Sequence, residues 1–471
     1  MRQEDRIAYL EQENAALRAE LAAAYARLKR LEKRQAKDSH NSSQPPSRDG
    51  PARQHRRQRK ASGKKPGGQV GHTGHTLLPA ATPDELVSHR PVACQHCQQT
   101  LEGVQGEVKE HRQVHDLPAV RLVVRDHQVE QVCCPACHHL SSGAFPAGVE
   151  APVQYGPHVR ALGVYLHHYQ LVPLARTCEL LADLYGCQLS QGTLTTWVQR
   201  ASSTLGPTVA HIADLLIASP LQHGDETGVR IEGQGHWVHV NSTRWLTHLA
   251  WHPKRGSQAL EAIGIWPHFR GRAMHDRWAS YDRYACAHSV CGAHLVRDLT
   301  YVEEQEHQRW ALEMKDLLLG MHAAAAEWRQ RRAGCVPAEE REQWQARYFE
   351  LLAEGFAAQA PPATPDPPKR RGRQKQSAAK NLLDDLLRRA DQVLAFVEDL
   401  RVPFTNNQAE RDLRMLKVQQ KIAGTFRSRD GATAFCRIRS YLSTMRKQGR
   451  AMLDALATVF VGKPLPIAWG T

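Results

Sequence analysis

Acidic residues are in short supply. The 471 residues hold 48 Asp and Glu against 62 Lys and Arg, a formal net charge of +14. That deficit argues against a cationic partner and for a polyanion. Long apolar runs are missing as well. None reaches the roughly 18 residues of a membrane span, and Met1–Asp5 does not open a signal peptide. A cytoplasmic protein of bacterial type, associated with the nucleoid and without a membrane partner, is the expectation. Cysteine is sparse: eleven in a chain this long cannot build a disulfide scaffold. Four of them form two CxxC units, which points instead to metal in a reducing compartment.

The chain reads as multidomain α+β/α/β. Residues 1–37 carry a heptad pattern, with Ile7, Asn14, Leu21 and Leu28 at a and Leu10, Leu17, Ala24 and Leu31 at d. A single Asn at a selects a parallel dimer in one register, so a leucine-zipper-like homodimer is expected. An amphipathic helix docked on its own domain is the plainer alternative. Residues 38–85 read as a basic disordered linker. Within 51–75 stand Arg53, Arg56, Arg57, Arg59, Lys60, Lys64 and Lys65 and no acid. Such an arm suits a phosphate backbone, although a solvated linker has the same composition.

Residues 86–145 hold Cys94, Cys97, Cys134 and Cys137. Two CxxC knuckles can close a tetrahedral thiolate site on Zn²⁺, and alternation over Val120–Val132 suggests the strands of a zinc ribbon. Four thiolates leave no open position, so the Zn²⁺ is structural. Cys133 could replace Cys134, but Pro135 favours Cys134. Residues 150–210 are helical. Leu171–Tyr185 ends at Gly186, and Ser190 caps Gln191–Ser203, a pattern resembling a helix-turn-helix. Thr193, Thr195, Thr196 and Arg200 are its candidate DNA-facing residues; helices that brace the next domain would read the same.

Residues 211–450 carry the chemistry. Asp225 follows the strand-like approach from Leu221, and Gly235–Asn241, Trp245–Trp251 and Gly271–His275 alternate as strands. Ser257–Ile263 is helical, and Asp276 closes the last strand. A helical stretch of about 300–400 then intervenes, including Ala379–Leu400 after a proline-rich, basic linker at 359–377. Glu410 opens a basic helix, and 451–471 form a C-terminal helix and tail. Three acids far apart in a basic chain suggest a Mg²⁺ (or Mn²⁺) site working on nucleic acid. Glu410 also fits a capping box with Asn407, the bland alternative. Arg411, Arg414, Lys417 and Lys421 recur every three or four residues, a cation row suited to phosphates or a solvated face. Cys286, Cys291 and His294 fit no common zinc spacing and read as packing residues.

The sequence resembles the transposases of the IS66 family of bacterial insertion elements, over nearly its whole length. The resemblance rests on NSSQPPS at 41–47 with GGQVGHTG at 67–74, the CxxC pair, and QYG at 154–156. It continues through LVPLARTCELL at 171–181, LSQGTL at 189–194, DET at 225–227 and CGAHLVRDL at 291–299. Most specific are VPFTNNQAERDLR at 402–414 and KIAGTFRSRDGA at 421–432. It implies a zipper-like start, a zinc-binding region and a DDE domain of RNase H-like fold with a large helical insertion. Asp225 matches the first catalytic Asp and Glu410 the Glu of the NNxAER motif. Asp276 matches the second Asp, with Asp282 in reserve, because HDRWASYDRY stands where many relatives have a DGYAGY-like run. Cys291 and His294 match a CxAH block.

The resulting expectation is a DNA transposase binding element ends and target. Asp225 would bridge two Mg²⁺ ions, with Asp276 on one and Glu410 on the other. Water would free a 3′-hydroxyl at each end, and that hydroxyl would attack target DNA. Small accessory proteins of the element are implied by the resemblance alone. Two rivals remain at this point: an RNase H-like nuclease or junction resolvase, and a catalytically silent DNA-binding regulator derived from a transposase.

Overall fold

The computed structural model describes residues 3–38, 40–42, 76–118, 120–359 and 376–468. The arm residues Arg53, Arg56, Arg57, Arg59, Lys60, Lys64 and Lys65 lie outside the described residues, as does most of the 359–377 linker. No helix among the described residues is long and apolar enough to cross a membrane.

Gln3–Gln35 form one helix, α1. Along its heptad seam Leu17, Leu21, Leu28 and Leu31 are exposed in the single protomer. Its foot is anchored. Asp38 Oδ1 accepts from the backbone of His40 and Asn41, and Asn41 Nδ2 donates to Ala36 O at 2.8 Å. Lys37 lies 5.2 Å from the Tyr301 ring, and His40 Nε2 is 3.4 Å from Glu304. The head of the stretch expected as a linker is therefore an ordered turn against the body of the protein.

In the cysteine region Gln131–Cys133 (β1) pairs antiparallel with Leu140–Ser142 (β2). The strands expected over Val120–Val132 shrink to this short hairpin. Val120, Val123 and Val124 are exposed, so their alternation meets no second layer.

Helix α2, Pro157–Val164, runs into a π turn at Tyr165–Tyr169. Leu174–Tyr185 (α3) ends at Gly186, whose φ of 66° is the left-handed C-cap that favours glycine. Ser190 Oγ then accepts from Thr193 N, opening α4. This helix continues well past Ser203, to Ile217, through Pro207. Leu205, Val209, Ile212 and Leu216 extend its buried stripe, and that burial outweighs the proline. Thr195, Thr196 and Arg200 are exposed on the opposite side.

Five strands form the central sheet: Leu221–Ile231 (β3), Gln234–Ser242 (β4), Thr247–His252 (β5), Arg272–His275 (β6) and Ala287–Val290 (β7). Their order is β5-β4-β3-β6-β7. The first three are antiparallel to one another; β6 and β7 join parallel. Between β5 and β6 lies α5, Ser257–Ile263, stopped by left-handed Gly264.

After β7 come Gly292–Glu306 (α6), Arg309–Gln330 (α7), Ala338–Ala357 (α8), Ala378–Arg388 (α9) and Ala390–Glu398 (α10). They share one hydrophobic core with Met274 and Val290 of the sheet. The expected single helix Ala379–Leu400 is broken at Arg389. That buried guanidinium bonds Asp282 and Asp385, and its backbone leaves helical geometry. Asn407–Ala423 (α11), Arg429–Lys447 (α12) and Met452–Phe460 (α13) complete the chain. Ala409, Leu413 and Leu416 of α11 pack on Val229, Val238 and Val240 of the sheet.

Candidate metal centre

Asp225 lies midway along β3, and Asp276 is the first residue beyond β6. The two strands are parallel, with His223 opposite Met274. Two residues past the end of that paired stretch stand Asp225 and Asp276, close enough for Asp276 to act on the Asp225 carboxyl. The crevice past the end of a parallel strand, where the sheet changes direction, is a common ligand site.

Glu410 arrives from the far side of the helical insertion. The segment before α11 is fastened across the start of α6. Gly292 N donates to Phe404 O at 2.8 Å, and Asn406 N to Cys291 Sγ at 3.1 Å. A Cβ on Gly292 would fall 2.3 Å from the Phe404 ring, so any side chain there must displace that ring. Asn406 is buried, accepts at Oδ1 from His223 Nδ1 (2.8 Å) and donates through Nδ2 to Gly224 O (2.8 Å). Those bonds lock α11 to the strand that carries Asp225, and Glu410 follows one turn later. The helix begins at Asn407, with Asn406 as N-cap and no side-chain capping bond. The expected Asn407–Glu410 capping box is therefore not formed.

All three acids are half-buried. Burial, then Glu226, Asp276 and Glu410, raise the Asp225 carboxyl well above the usual carboxylate range. Asp282 has gone elsewhere: Arg389 Nη1 holds its Oδ1 at 2.7 Å, and Arg388 is also near. Arg277, next to Asp276, is held by Asp298 and Asp385.

A fourth acid was not singled out from the sequence. Glu226 is buried, with Arg255 at 2.7 Å and Tyr281 donating to Oε2 at 2.8 Å. Burial, then Asp276, raise its proton affinity, and Arg255 opposes that. Arg255 itself sits against the rings of Trp237 (4.9 Å) and Trp278 (4.3 Å). DET at 225–227 was the available signal, but no local pattern indicates which acid has the arginine. Gly224 is also dictated by close approach, since a Cβ there would meet Trp266 at 2.4 Å.

Arg411, Arg414, Lys417 and Lys421 are all exposed, with Arg411 and Arg414 turned away from the face of α11 that packs on the sheet and Lys417 at the margin of that face. Lys417 Nζ also stands 3.5 Å from Gly228 O.

The two CxxC knuckles are alike. Cys94 N donates to Gln99 O and Gln98 N to Cys94 O; Cys134 N donates to His139 O and His138 N to Cys134 O. Gln98 and His138 are both left-handed, at the same place in each turn. Backbone amides of Cys97 and His96 lower the Cys94 thiol, and those of Cys137 and Ala136 lower Cys134. Cys133 stays in β1, outside the knuckle. The two thiol pairs are not gathered within ligand range of each other. Among the described residues the one set of three ligating side chains that meets is Cys291, His294 and Glu410. Cys286 instead points to His288, with Sγ 3.7 Å from Nε2.

Together these features describe an α+β protein in which the central strand of a mixed sheet carries Asp225, with Asp276 and Glu410 near enough to raise its proton affinity. Residues 152–434 match the family model described as "Transposase IS66 family", and the chain belongs to that family. A second model, of a family of unknown function, matches residues 2–77. Comparison with curated proteins finds none that matches.

Proposed function

We propose that this transposase-family protein cuts the ends of its insertion element and joins the freed 3′-hydroxyls to target DNA. The observation that supports this reading is that Asp276 and Glu410, from remote segments, stand close enough to Asp225 to raise its proton affinity, although the three are not drawn within ligand range of one another. We read the mixed five-stranded sheet that presents them as the RNase H-like domain the family resemblance implies. Their donor set fits a hard divalent cation, since it consists of carboxylate oxygens whose mutual repulsion such a cation relieves. Asp225, Asp276 and Glu410 would hold Mg²⁺ or Mn²⁺. When bound, the metal supplies Lewis-acid stabilisation of charge at the phosphodiester and at the attacking and leaving oxygens.

The chain's own residues do the positioning. Asn406 holds Glu410 in line with β3. Arg255 and Tyr281 keep Glu226 occupied, leaving Asp225 to face the crevice. The exposed cations of α11 bind phosphates on either side of the reacting bond. Cys94, Cys97, Cys134 and Cys137 form a structural Zn²⁺ site once the two knuckles dock. The α1 helices pair two protomers, one for each element end, and the 51–75 arm tracks the DNA backbone.

The test is a pre-cut element end with a free 3′-hydroxyl, incubated with target DNA and Mg²⁺. Joined product is expected. Cutting without joining would make the protein a nuclease, and end binding with neither reaction would make it a regulator.

A further inference from the structure

Cys291 and His294 have no part in the chemistry above, yet both reach Glu410. Cys291 is the N-cap of α6 and His294 its third helical residue. Side chains at those two positions meet at one helix end, the geometry a capping box uses. Cys291 Sγ, a His294 ring nitrogen and a Glu410 carboxylate oxygen all lie within 4.8 Å of one another. Cys291 is fully buried and accepts from Asn406 N, which fixes its Sγ in place. His294 Nδ1 is buried with no hydrogen-bond partner. An unpaired buried nitrogen is costly, and a cation is one partner it can take.

The three donors differ in kind from the acid set. Thiolate and imidazole suit zinc-class metals and do not suit Mg²⁺. Ligand atoms around a tetrahedral zinc stand about 3.3–3.8 Å apart, so rotamer adjustments of about 1 Å would close the site. Water would complete the fourth position.

We propose that Cys291, His294 and Glu410 form a second, zinc-class metal site that competes with the carboxylate site for Glu410. Binding releases the Cys291 thiol proton to solvent, and the Glu410 oxygen turns toward Sγ and the imidazole. The carboxylate is then withdrawn from Asp225 and Asp276. The site itself stands on the cluster alone. Its inhibitory effect rests on the proposed role of Glu410 in DNA cleavage.

The probe is Co²⁺, titrated into the full-length chain and into Cys291→Ser. Both proteins keep the CxxC knuckles, so knuckle binding cancels in the difference. The expected difference spectrum contains a thiolate-to-Co²⁺ charge-transfer band and an additional equivalent of metal. Serine keeps an acceptor for Asn406 N, and His294→Gln provides a second variant that leaves Cys291 in place. Each substitution should weaken the site by at least about tenfold, the lower end of what losing even an outer-sphere partner costs. Identical spectra and stoichiometry in wild type and both variants would overturn the proposal.

Cleavage in Mg²⁺ is then followed as Zn²⁺ is added. Wild type should be inhibited, more Mg²⁺ should relieve the inhibition, and Cys291→Ser should lose the zinc response relative to its own zinc-free rate. A band with zinc-insensitive cleavage would overturn the competition. A band with no cleavage in Mg²⁺ would overturn the functional reading and leave the metal site standing. A flat difference spectrum with normal cleavage would do the reverse.

Discussion

Asn406 shows how much one side chain can decide at this site. Its partners His223 and Gly224 lie 183 and 182 residues away, and Cys291 lies 115 away. Asn406→Ala should leave the helix but loosen the place of Glu410. We expect weaker Mn²⁺ binding with little change in DNA affinity, measured by calorimetry and filter binding; unchanged Mn²⁺ affinity would remove its positioning role. Gly292 makes a steric demand. Gly292→Ala must push the Phe404 ring aside, and overpacking of this kind costs about 1–3 kcal/mol. A urea midpoint equal to wild type would show that the crossing has slack. At this scale DET and NNQAER stand out in the sequence, because they are local patterns. The contacts of Asn406, Glu226 and the Cys291–His294 pair do not, since partners 29 to 183 residues away leave no periodic trace.

Elements were legible where a local stop signal exists. The helix expected at Ser257–Ile263 is α5 to the residue, because Gly264 adopts the left-handed turn that ends it. Gly186 and Ser190 mark the α3–α4 turn for the same reason. Patterns failed where tertiary contact decides. Val120–Val132 alternates but finds no layer to pack on, and α4 runs on because its buried stripe does. Two strand histidines carry a consequence for stability. Burial pushes His239 on β4 and His248 on β5 down to about 4. Unfolded, each titrates near 6.5. Between about pH 6.5 and about pH 4 the unfolded chain therefore binds protons that the native one refuses. Stability falls as pH drops through that window and levels below it. Each histidine accounts for about 3 kcal/mol of that loss. Urea midpoints at about pH 7.5 and about pH 4.5 should differ less in His248→Leu than in wild type; equal differences would contradict the assignment. On α11, neutralising Arg411, Arg414 and Lys421 should weaken DNA binding regardless of sequence. It should also flatten the salt dependence by about one unit of slope per cation lost. An unchanged slope would make that face merely solvated.

At the scale of the molecule, the helical insertion is what joins the site. It carries α6 to α10 between Asp276 and Glu410, and its packing on Met274 and Val290 ties it to the sheet end. The helix at the start and the mixed helix-and-sheet character of the body follow from local periodicity. How the pieces meet does not, because no periodicity records it. The exposed leucines of α1 predict that removing residues 1–37 abolishes dimers in light scattering, whereas a full-length monomer would refute the zipper. The central claim is that acids from three remote segments make one divalent-cation site. Calorimetric titration of Mn²⁺ into the full-length protein, Asp225→Asn and Glu410→Gln tests it most directly. The account predicts a site in wild type that either substitution weakens severely, and Mn²⁺ affinity indifferent to both would contradict it.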